Sequence, residues 1–184
     1  MNFIIVHGVY ASPEANWFPW LKKELENRGY ECLVPKFPTP LDQSLESWLR
    51  VFSGYESKIN EDTVLIGHSL GASFIINYLE KTSKKVKATY LIAPFHKLLG
   101  NQYDEINKTF VGKEFNWEKI KSSCNKFFVF ASDNDKYIPP EVTNDIVEKL
   151  DAEFNVVPNG GHLNKESGYE EFYLLLECII IDLD

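Results

Sequence analysis

The chain is poor in cysteine, and its three cysteines follow no metal-binding or disulfide pattern. Cys32, Cys124 and Cys178 are odd in number and lie far apart, without CxxC spacing. A disulfide framework would use an even set of cysteines, and a zinc site would bring two of them close together along the chain. We therefore expect reduced thiols and a cytoplasmic location.

Positive charge is also scarce. Lysine and arginine number 19 against 27 aspartates and glutamates, which gives a formal net charge of -8 at pH 7. A protein that binds nucleic acid or an anionic membrane needs a cationic surface to neutralise phosphates. The composition therefore predicts neither nucleic acid nor a membrane as a partner.

Long apolar runs are the third feature that the sequence lacks. The longest candidate, LLLECIIIDL near the C-terminus, is interrupted by Glu177 and is shorter than the roughly 20 residues that span a bilayer. At the other end, Met1 and Asn2 lead directly into FIIV, without the basic region, apolar stretch and cleavage site of a secretory signal. We expect neither a membrane span nor export.

The sequence does contain enough apolar residues for one core. With 44% hydrophobic and 14% aromatic residues, a chain of 184 residues can bury one substantial core, so we predict a single domain over residues 1–184. Continuous apolar runs are typical of strands covered on both faces of a sheet. Six such runs are FIIVHG (3–8), ECLVP (31–35), TVLIG (63–67), ATYLIAP (88–94), KFFVFAS (126–132) and EFNVVP (153–158).

Helical patterns lie between these runs. One apolar stripe starts at Trp17, a longer one runs over 45–59, a third over 142–150, and an apolar helix over 169–183 closes the chain. Alternation of strands and helices predicts an α/β protein, a three-layer αβα sandwich with a six-stranded, mostly parallel sheet in the order 2-1-3-4-5-6. The stretch 95–125 is longer than a crossover needs, so part of it is expected to form a small cap over the sheet's end.

One motif combines a serine with two glycines. Gly67-His68-Ser69-Leu70-Gly71 fits G-x-S-x-G, and it lies between an apolar strand and a helical pattern. A serine at the apex of such a turn has a strained backbone and exposes its hydroxyl, which requires small residues two positions before and after it. The other interpretation is that Ser69 caps the helix. The strand and helix context favours a nucleophile.

A nucleophilic serine needs a base, and the base needs an acid that orients it. His162 leaves the sixth strand through Gly160 and Gly161, at the sheet edge where the serine lies. Asp133 and Asp135 leave the fifth strand in the same way; Asp135 is favoured and Asp133 stays open as the alternative. His7 and His68 each end a strand beside a glycine, where a local structural role is expected.

An oxyanion site completes this chemistry, and it needs two amide donors. Leu70 follows the serine, and the loop after the first strand offers Val9, which is favoured, or Tyr10. In the predicted sheet both loops face one crevice, because the connections after strands one and three diverge. Further residues that flank these loops are candidates for substrate binding: Tyr10, His68, Phe95, His96, Tyr137 and Leu163.

Several stretches resemble those of a known family. IIVHGVYASPEANWFPWLKKEL, PLDQSLESWL, LIGHSLG, ASDNDKYIP and NGGH resemble the α/β-hydrolase superfamily, and within it the small serine hydrolases of the YdeN and retinoblastoma-binding-protein-9 type. The resemblance covers nearly the whole chain. It implies a compact α/β-hydrolase fold and gives the triad positions to Ser69, Asp135 and His162.

The predicted activity is that of a serine hydrolase, an esterase that needs no cofactor or metal and acts on a small-molecule acyl substrate. The alternative is a binding or regulatory protein that keeps the fold but has little turnover. No specific protein partner is predicted, because the stretch at Leu176-Glu177-Cys178-Ile179-Ile180 lacks the final glutamate of an LxCxE motif for pocket proteins.

Overall fold

The computed structural model describes residues 1–183, so residue 184, the last of the predicted domain, lies outside it. Its centre is a six-stranded sheet in the order β2-β1-β3-β4-β5-β6, and every neighbouring pair is parallel. The strands are β1 (Asn2–Val6), β2 (Glu31–Leu33), β3 (Thr63–His68), β4 (Val86–Ile92), β5 (Cys124–Ser132) and β6 (Glu153–Val157). The predicted parallel sheet and its order are confirmed.

Helices cover both faces of this sheet. They are α1 (Phe18–Asn27), α2 (Leu45–Ser53), α3 (Leu70–Lys81), α4 (Asp104–Val111), α5 (Trp117–Ser122), α6 (Pro140–Leu150) and α7 (Tyr173–Leu183). Helices α1 and α7 pack on one face, and residues of α2 to α6 contribute to the core on the other. The arrangement is the predicted three-layer sandwich.

Side chains of the central strands alternate between two cores, as the period of a strand dictates. In β1, Phe3 and Ile5 belong to the core beneath α1 and α7, whereas Ile4 and Val6 belong to the opposite one. All four are completely buried. Buried runs on both faces explain why these strands read as continuous apolar stretches rather than alternating ones.

Three sequence-based expectations were wrong in detail. The stripe over 45–59 does not form one helix, since α2 ends at Ser53 and a separate short 3-10 turn follows at Glu56–Lys58. The closing helix begins at Tyr173 rather than at 169. The strand β6 is not covered on both faces, since Phe154 and Val156 are exposed on one of them.

The stretch 95–125 contains the two short helices α4 and α5. Helix α5 contributes Ile120 to the core, and α4 contributes Phe110 to the same core and Asn107 to the wall of a cavity. Between residues 1 and 183, none of the helices has both the length and the hydrophobicity that a bilayer span needs.

Candidate active site

Ser69 lies at a sharp turn between β3 and α3. Its backbone has φ 55 and ψ -120, a conformation that side chains rarely adopt. The two glycines of the motif make this turn possible because they bring backbones into contact. A Cβ atom on Gly71 would lie 2.1 Å from the carbonyl oxygen of Val6, and one on Gly67 would lie 2.7 Å from the amide nitrogen of Ala72. Ser69 is consequently half-buried at the carboxyl edge of the sheet.

His162 and Asp135 form a hydrogen-bonded pair. The imidazole Nδ1 lies 2.8 Å from Asp135 Oδ2, and the other carboxylate oxygen, Oδ1, accepts from the amides of Tyr137 (2.8 Å) and Ile138 (3.3 Å). An ionised carboxylate only accepts hydrogen bonds, so the Nδ1 atom carries the proton. That tautomer leaves Nε2 of His162 unprotonated and able to take a proton.

Asp133 and Asn134 connect the same two loops at neighbouring positions. Asp133 Oδ1 accepts from the amide of Asn159 at 2.7 Å, and Asn134 Oδ1 accepts from the amide of Gly161 at 2.7 Å. Both aspartates accept from backbone amides, but of the two it is Asp135 that also binds the imidazole of His162. The role of Asn134 was not predicted, although its position between the two candidate acids was a signal.

The backbone of His162 is held from several directions. Its amide donates to Ser167 Oγ at 3.2 Å, and its carbonyl accepts from His68 Nε2 at 2.9 Å. The indole of Trp17 donates to the next carbonyl, that of Leu163, at 3.0 Å. Ser167 is a local partner, but His68 and Trp17 lie 94 and 146 positions away from the residues they contact, so tertiary contacts help to fix the histidine loop.

Burial governs the protonation of His68. Removal from solvent, together with the neighbouring imidazole of His162, lowers the pKa of His68 to about 3. The ring is therefore neutral near pH 7, and its one N–H donates to the carbonyl of His162. His68 has a role inside the protein, as expected for a strand-end histidine.

His7 holds the loop after β1. Its Nδ1 atom lies 2.9 Å from the carbonyl oxygen of Gly8, and its Nε2 atom accepts from the amide of Phe37 at 3.0 Å. Burial lowers the pKa of His7, which keeps the ring neutral with its proton on Nδ1. Further along the loop, the amide of Tyr10 donates to Thr39 Oγ1 at 2.9 Å. The Tyr10 amide thus already has a partner within the protein.

A cavity of about 190 Å³ opens beside Ser69. Six of the sequence-predicted residues line it: Val9, Tyr10, Ser69, Phe95, Tyr137 and His162. The structure therefore brings the candidate nucleophile and base to one cavity. The lining also includes residues that the sequence did not single out, among them Asn101, Tyr103, Asn107, Asn164 and Glu166. Most of these come from 99–107, where no motif marked them.

Three predicted substrate-binding residues lie elsewhere. His68 and Leu163 are buried, and neither belongs to the cavity wall. His96 is also buried and outside the wall, with its Nε2 atom 2.7 Å from Asp145 Oδ2 of α6. Each of the three flanks a loop of the site in sequence, but its side chain points into the packed interior.

No metal site is formed by the part of the chain that the structure describes, since it holds no cluster of three or more histidine, cysteine, aspartate or glutamate side chains suited to an ion. The polar groups of the cavity are instead a hydroxyl, an imidazole, side-chain amides, phenols and one carboxylate. Such groups can transfer protons and donate hydrogen bonds.

Comparisons with known proteins agree on one family. A family model described as Serine hydrolase matches residues 3–178. YdeN of Bacillus subtilis (strain 168), which is named as a hydrolase, is 32% identical over 177 residues, covering 95% of this chain and 92% of YdeN. Serine hydrolase RBBP9 of Rattus norvegicus is 30% identical over 155 residues, covering 84% of this chain and 81% of RBBP9.

A solved structure gives the same result for the fold. The crystal structure of the ydeN gene product from B. subtilis superposes with a TM-score of 0.93 at 30% sequence identity, and the match covers 99% of this chain and 98% of that chain. The predicted resemblance to small serine hydrolases of the YdeN and RBBP9 type is confirmed, as is the α/β-hydrolase fold.

Proposed function

The chain belongs to the serine hydrolase family and is therefore a hydrolase, and we propose that it is a carboxylic ester hydrolase with Ser69, His162 and Asp135 as its catalytic triad. One observation carries the proposal: His162 is hydrogen-bonded to Asp135 at 2.8 Å and lines the same cavity as the strained Ser69. A nucleophile at a strained turn, a base and an orienting acid are the parts that acyl transfer needs.

The reaction follows from these positions. His162 Nε2 removes the proton of Ser69 Oγ as the oxygen attacks the ester carbonyl, and the imidazolium then protonates the leaving alcohol. Asp135 holds the imidazole in the required tautomer and stabilises its positive charge. A water molecule deprotonated by His162 next attacks the acyl-enzyme, and the acid is released with Ser69 restored. No cofactor takes part in this scheme.

Two amides are proposed to bind the oxyanion. Leu70 begins α3, and the first amides of a helix have no partner within the helix. The second is Val9, because the amide of Tyr10 is already bonded to Thr39. A trans peptide directs its carbonyl and its amide to opposite sides, so the bond from His7 to the Gly8 carbonyl turns the Val9 amide away from His7. Val9 lines the cavity.

The cavity also supports an ester of modest size. At about 190 Å³ it suits a short acyl or alcohol group, since pockets for drug-sized ligands are larger, roughly 300–1,000 Å³. Tyr10, Phe95 and Tyr137 give its wall an apolar and aromatic character, and they are proposed to contact the substrate. These features favour a small uncharged molecule over a polymer.

A fluorophosphonate probe tests the nucleophile, because it reacts covalently with an activated serine. Wild-type protein should be labelled, Ser69→Ala should not, and the matched control Ser53→Ala at the exposed end of α2 should label like wild type. A panel of p-nitrophenyl esters, thioesters and anilides then identifies the scissile bond. Folded protein that fails to label would instead support the binding or regulatory alternative.

A further inference from the structure

The asparagines in the cavity wall share one feature. Asn101, Asn107 and Asn164 all line the cavity, and each uses its Oδ1 atom to accept a hydrogen bond from the protein. Asn101 accepts from the amide of Tyr103 at 2.9 Å, and Asn164 accepts from the amide of Ser167 at 3.1 Å. In each case the oxygen is occupied, so the NH₂ group is the end that can meet a ligand.

Asn107 is the most enclosed of the three. It belongs to α4 and is only 4% exposed, and its Oδ1 accepts from Gln43 Nε2 at 3.0 Å. Among residues 1–183, no protein acceptor contacts its Nδ2 group, and the side chain borders the cavity. An amide NH₂ group that borders a cavity and has no protein acceptor is free to donate to a ligand or to water. The Nδ2 group of Asn107 can therefore donate a hydrogen bond to a substrate.

A series of hydrogen bonds fixes which end of the Asn107 amide faces the cavity. The series starts at a backbone amide, since Tyr10 N–H donates to Thr39 Oγ1 at 2.9 Å. The Thr39 hydroxyl proton then donates to Gln43 Oε1 at 2.6 Å. The other end of Gln43, its Nε2 group, must donate, and it does so to the carbonyl of Ile106 and to Asn107 Oδ1, each at 3.0 Å.

This series of hydrogen bonds begins at the backbone N–H of Tyr10 and reaches the backbone carbonyl of Ile106. An amide N–H can only donate and a carbonyl can only accept, so the direction of every bond between them is determined. Rotation of the Asn107 amide would place its NH₂ group against the NH₂ group of Gln43 and lose a hydrogen bond. The Nδ2 end of the Asn107 amide is therefore the end that faces the cavity.

We propose that Asn107 determines substrate specificity by donating a hydrogen bond from Nδ2 to an uncharged oxygen acceptor of the substrate. The substrate class is then a short ester that carries an ether, hydroxyl or carbonyl oxygen beside the scissile group, in preference to a plain alkyl ester. This inference rests on the proposed esterase function and adds the substrate class of the same site.

The charges around the cavity favour an uncharged acceptor. Among the described residues of the wall there is no lysine or arginine, and Glu166 supplies a carboxylate. The nearest cation to that carboxylate is Lys136, whose Nζ lies 3.8 Å from Glu166 Oε2 and which is not part of the wall. An anionic substrate would meet the Glu166 charge without a cation in the wall to offset it.

Two matched pairs of esters test this inference. On the acyl side, p-nitrophenyl methoxyacetate is compared with p-nitrophenyl butyrate, and on the alcohol side 2-methoxyethyl acetate with butyl acetate; within each pair one CH₂ group is replaced by oxygen. The measured quantity is the ratio of kcat/KM between the two members. Comparison of variants with wild type cancels the intrinsic reactivity of each ester.

The main variant is Asn107→Asp, which keeps the oxygen that Gln43 binds and replaces the NH₂ donor by an acceptor. We expect the ratio in favour of the oxygen-containing ester to fall about fivefold or more in at least one pair, the size of a lost neutral hydrogen bond. Asn107→Leu, which removes both polar atoms, should lower the same ratio and serves if the aspartate variant does not fold. Circular dichroism and fluorophosphonate labelling report on folding and on Ser69.

A matched control comes from the same helix. Thr109 Oγ1 accepts from the amide of Leu45 at 3.0 Å, which links α4 to the first residue of α2, but Thr109 is outside the cavity wall. Thr109→Val should leave the ratio at the wild-type value. An equal fall in that variant, or an unchanged ratio in both Asn107 variants, would overturn the inference while ester hydrolysis stands. Wild-type protein that cleaves none of the four esters would refute the proposed function and the inference together.

Discussion

The imidazole of His68 donates to the backbone carbonyl of His162 at 2.9 Å, so the residue that precedes Ser69 holds the loop that carries the proposed base. The contact joins the last residue of β3 to a loop residue 94 positions further along the chain. Because burial lowers the pKa of His68 to about 3, the ring stays neutral and remains a donor throughout the pH range of an ordinary assay.

Loss of this contact should slow the reaction more than it weakens substrate binding. In His68→Leu we expect kcat to fall about tenfold to a hundredfold, with KM changed by less than about threefold, because a small displacement of a base is costly to the chemical step. His68→Gln offers a side-chain amide in place of the imidazole N–H and should recover much of the rate. Steady-state kinetics on p-nitrophenyl butyrate measures both parameters, and equal rates for the two variants would contradict a role for the hydrogen bond.

The two aspartates of the acid loop should differ sharply. Asp135→Asn removes the negative charge of the carboxylate that accepts from His162 Nδ1. We expect kcat to fall about a thousandfold or more. Asp133→Asn keeps an oxygen for the amide of Asn159 and should lose less than about threefold. The same kinetic assay compares them. Similar losses in the two variants would show that the hydrogen bond between Asp135 and His162 does not carry the catalytic effect.

Local sequence was sufficient for the nucleophile and the sheet, but not for the cavity wall. The turn at Ser69 requires glycines two positions before and after the serine, and the apolar strands reflect burial on both faces, so both features leave a local pattern. The bond between Gln43 and Asn107 joins residues 64 positions apart, and no periodicity records it. The side-chain directions of His96 and Leu163 are likewise set by packing partners from other elements.

The fold departs from the sequence-based expectation where neighbours override local pattern. The stripe over 45–59 continues past Gly54, yet the helix stops there and a short 3-10 turn carries the chain into β3. The run EFNVVP is typical of a strand covered on both faces, but Phe154 and Val156 of β6 are exposed on one face. Whether helices cover both faces of a strand depends on the whole fold, which a single short run does not encode.

Gly71 should tolerate no side chain. In Gly71→Ala the added Cβ would lie 2.1 Å from the carbonyl oxygen of Val6 and 2.7 Å from that of His7. Both contacts are to backbone at the end of β1, so the sheet edge must move to accommodate them. We expect the free energy of unfolding to fall by about 3 kcal/mol or more, measured by urea denaturation.

Gly54 provides the matched control for that substitution. It ends α2 with φ -64 and ψ -16, a conformation open to alanine, and an added Cβ would meet only the Val51 carbonyl, at 3.3 Å. Gly54→Ala should change the free energy of unfolding by less than about 1 kcal/mol. If Gly71→Ala loses no more stability than Gly54→Ala, the backbone at the carboxyl end of β1 moves at little cost in free energy.

Buried histidines should make the protein less stable as the pH falls below about 6.5. Burial lowers the pKa of His7, His68 and His96 in the folded state, whereas an unfolded histidine titrates near 6.5. Below about pH 6.5 the unfolded chain therefore binds protons that the folded protein does not, and each such group lowers the free energy of unfolding by at most about 1.4 kcal/mol per pH unit. The effect is absent above pH 7 and grows as the pH decreases.

His68 gives the clearest test, because its pKa of about 3 keeps it neutral in the folded state well below pH 5. From pH 7 to pH 5, protonation of this one residue in the unfolded chain should remove about 2 kcal/mol of stability. His68→Gln has no imidazole at this position, so it does not lose this stability when the pH falls. The difference in the free energy of unfolding between wild type and His68→Gln should therefore be about 2 kcal/mol smaller at pH 5 than at pH 7. Urea denaturation of both proteins at the two pH values measures the difference. A deficit independent of pH would mean that the folded protein also takes up a proton at His68, and the imidazole could then no longer be the neutral donor that holds His162.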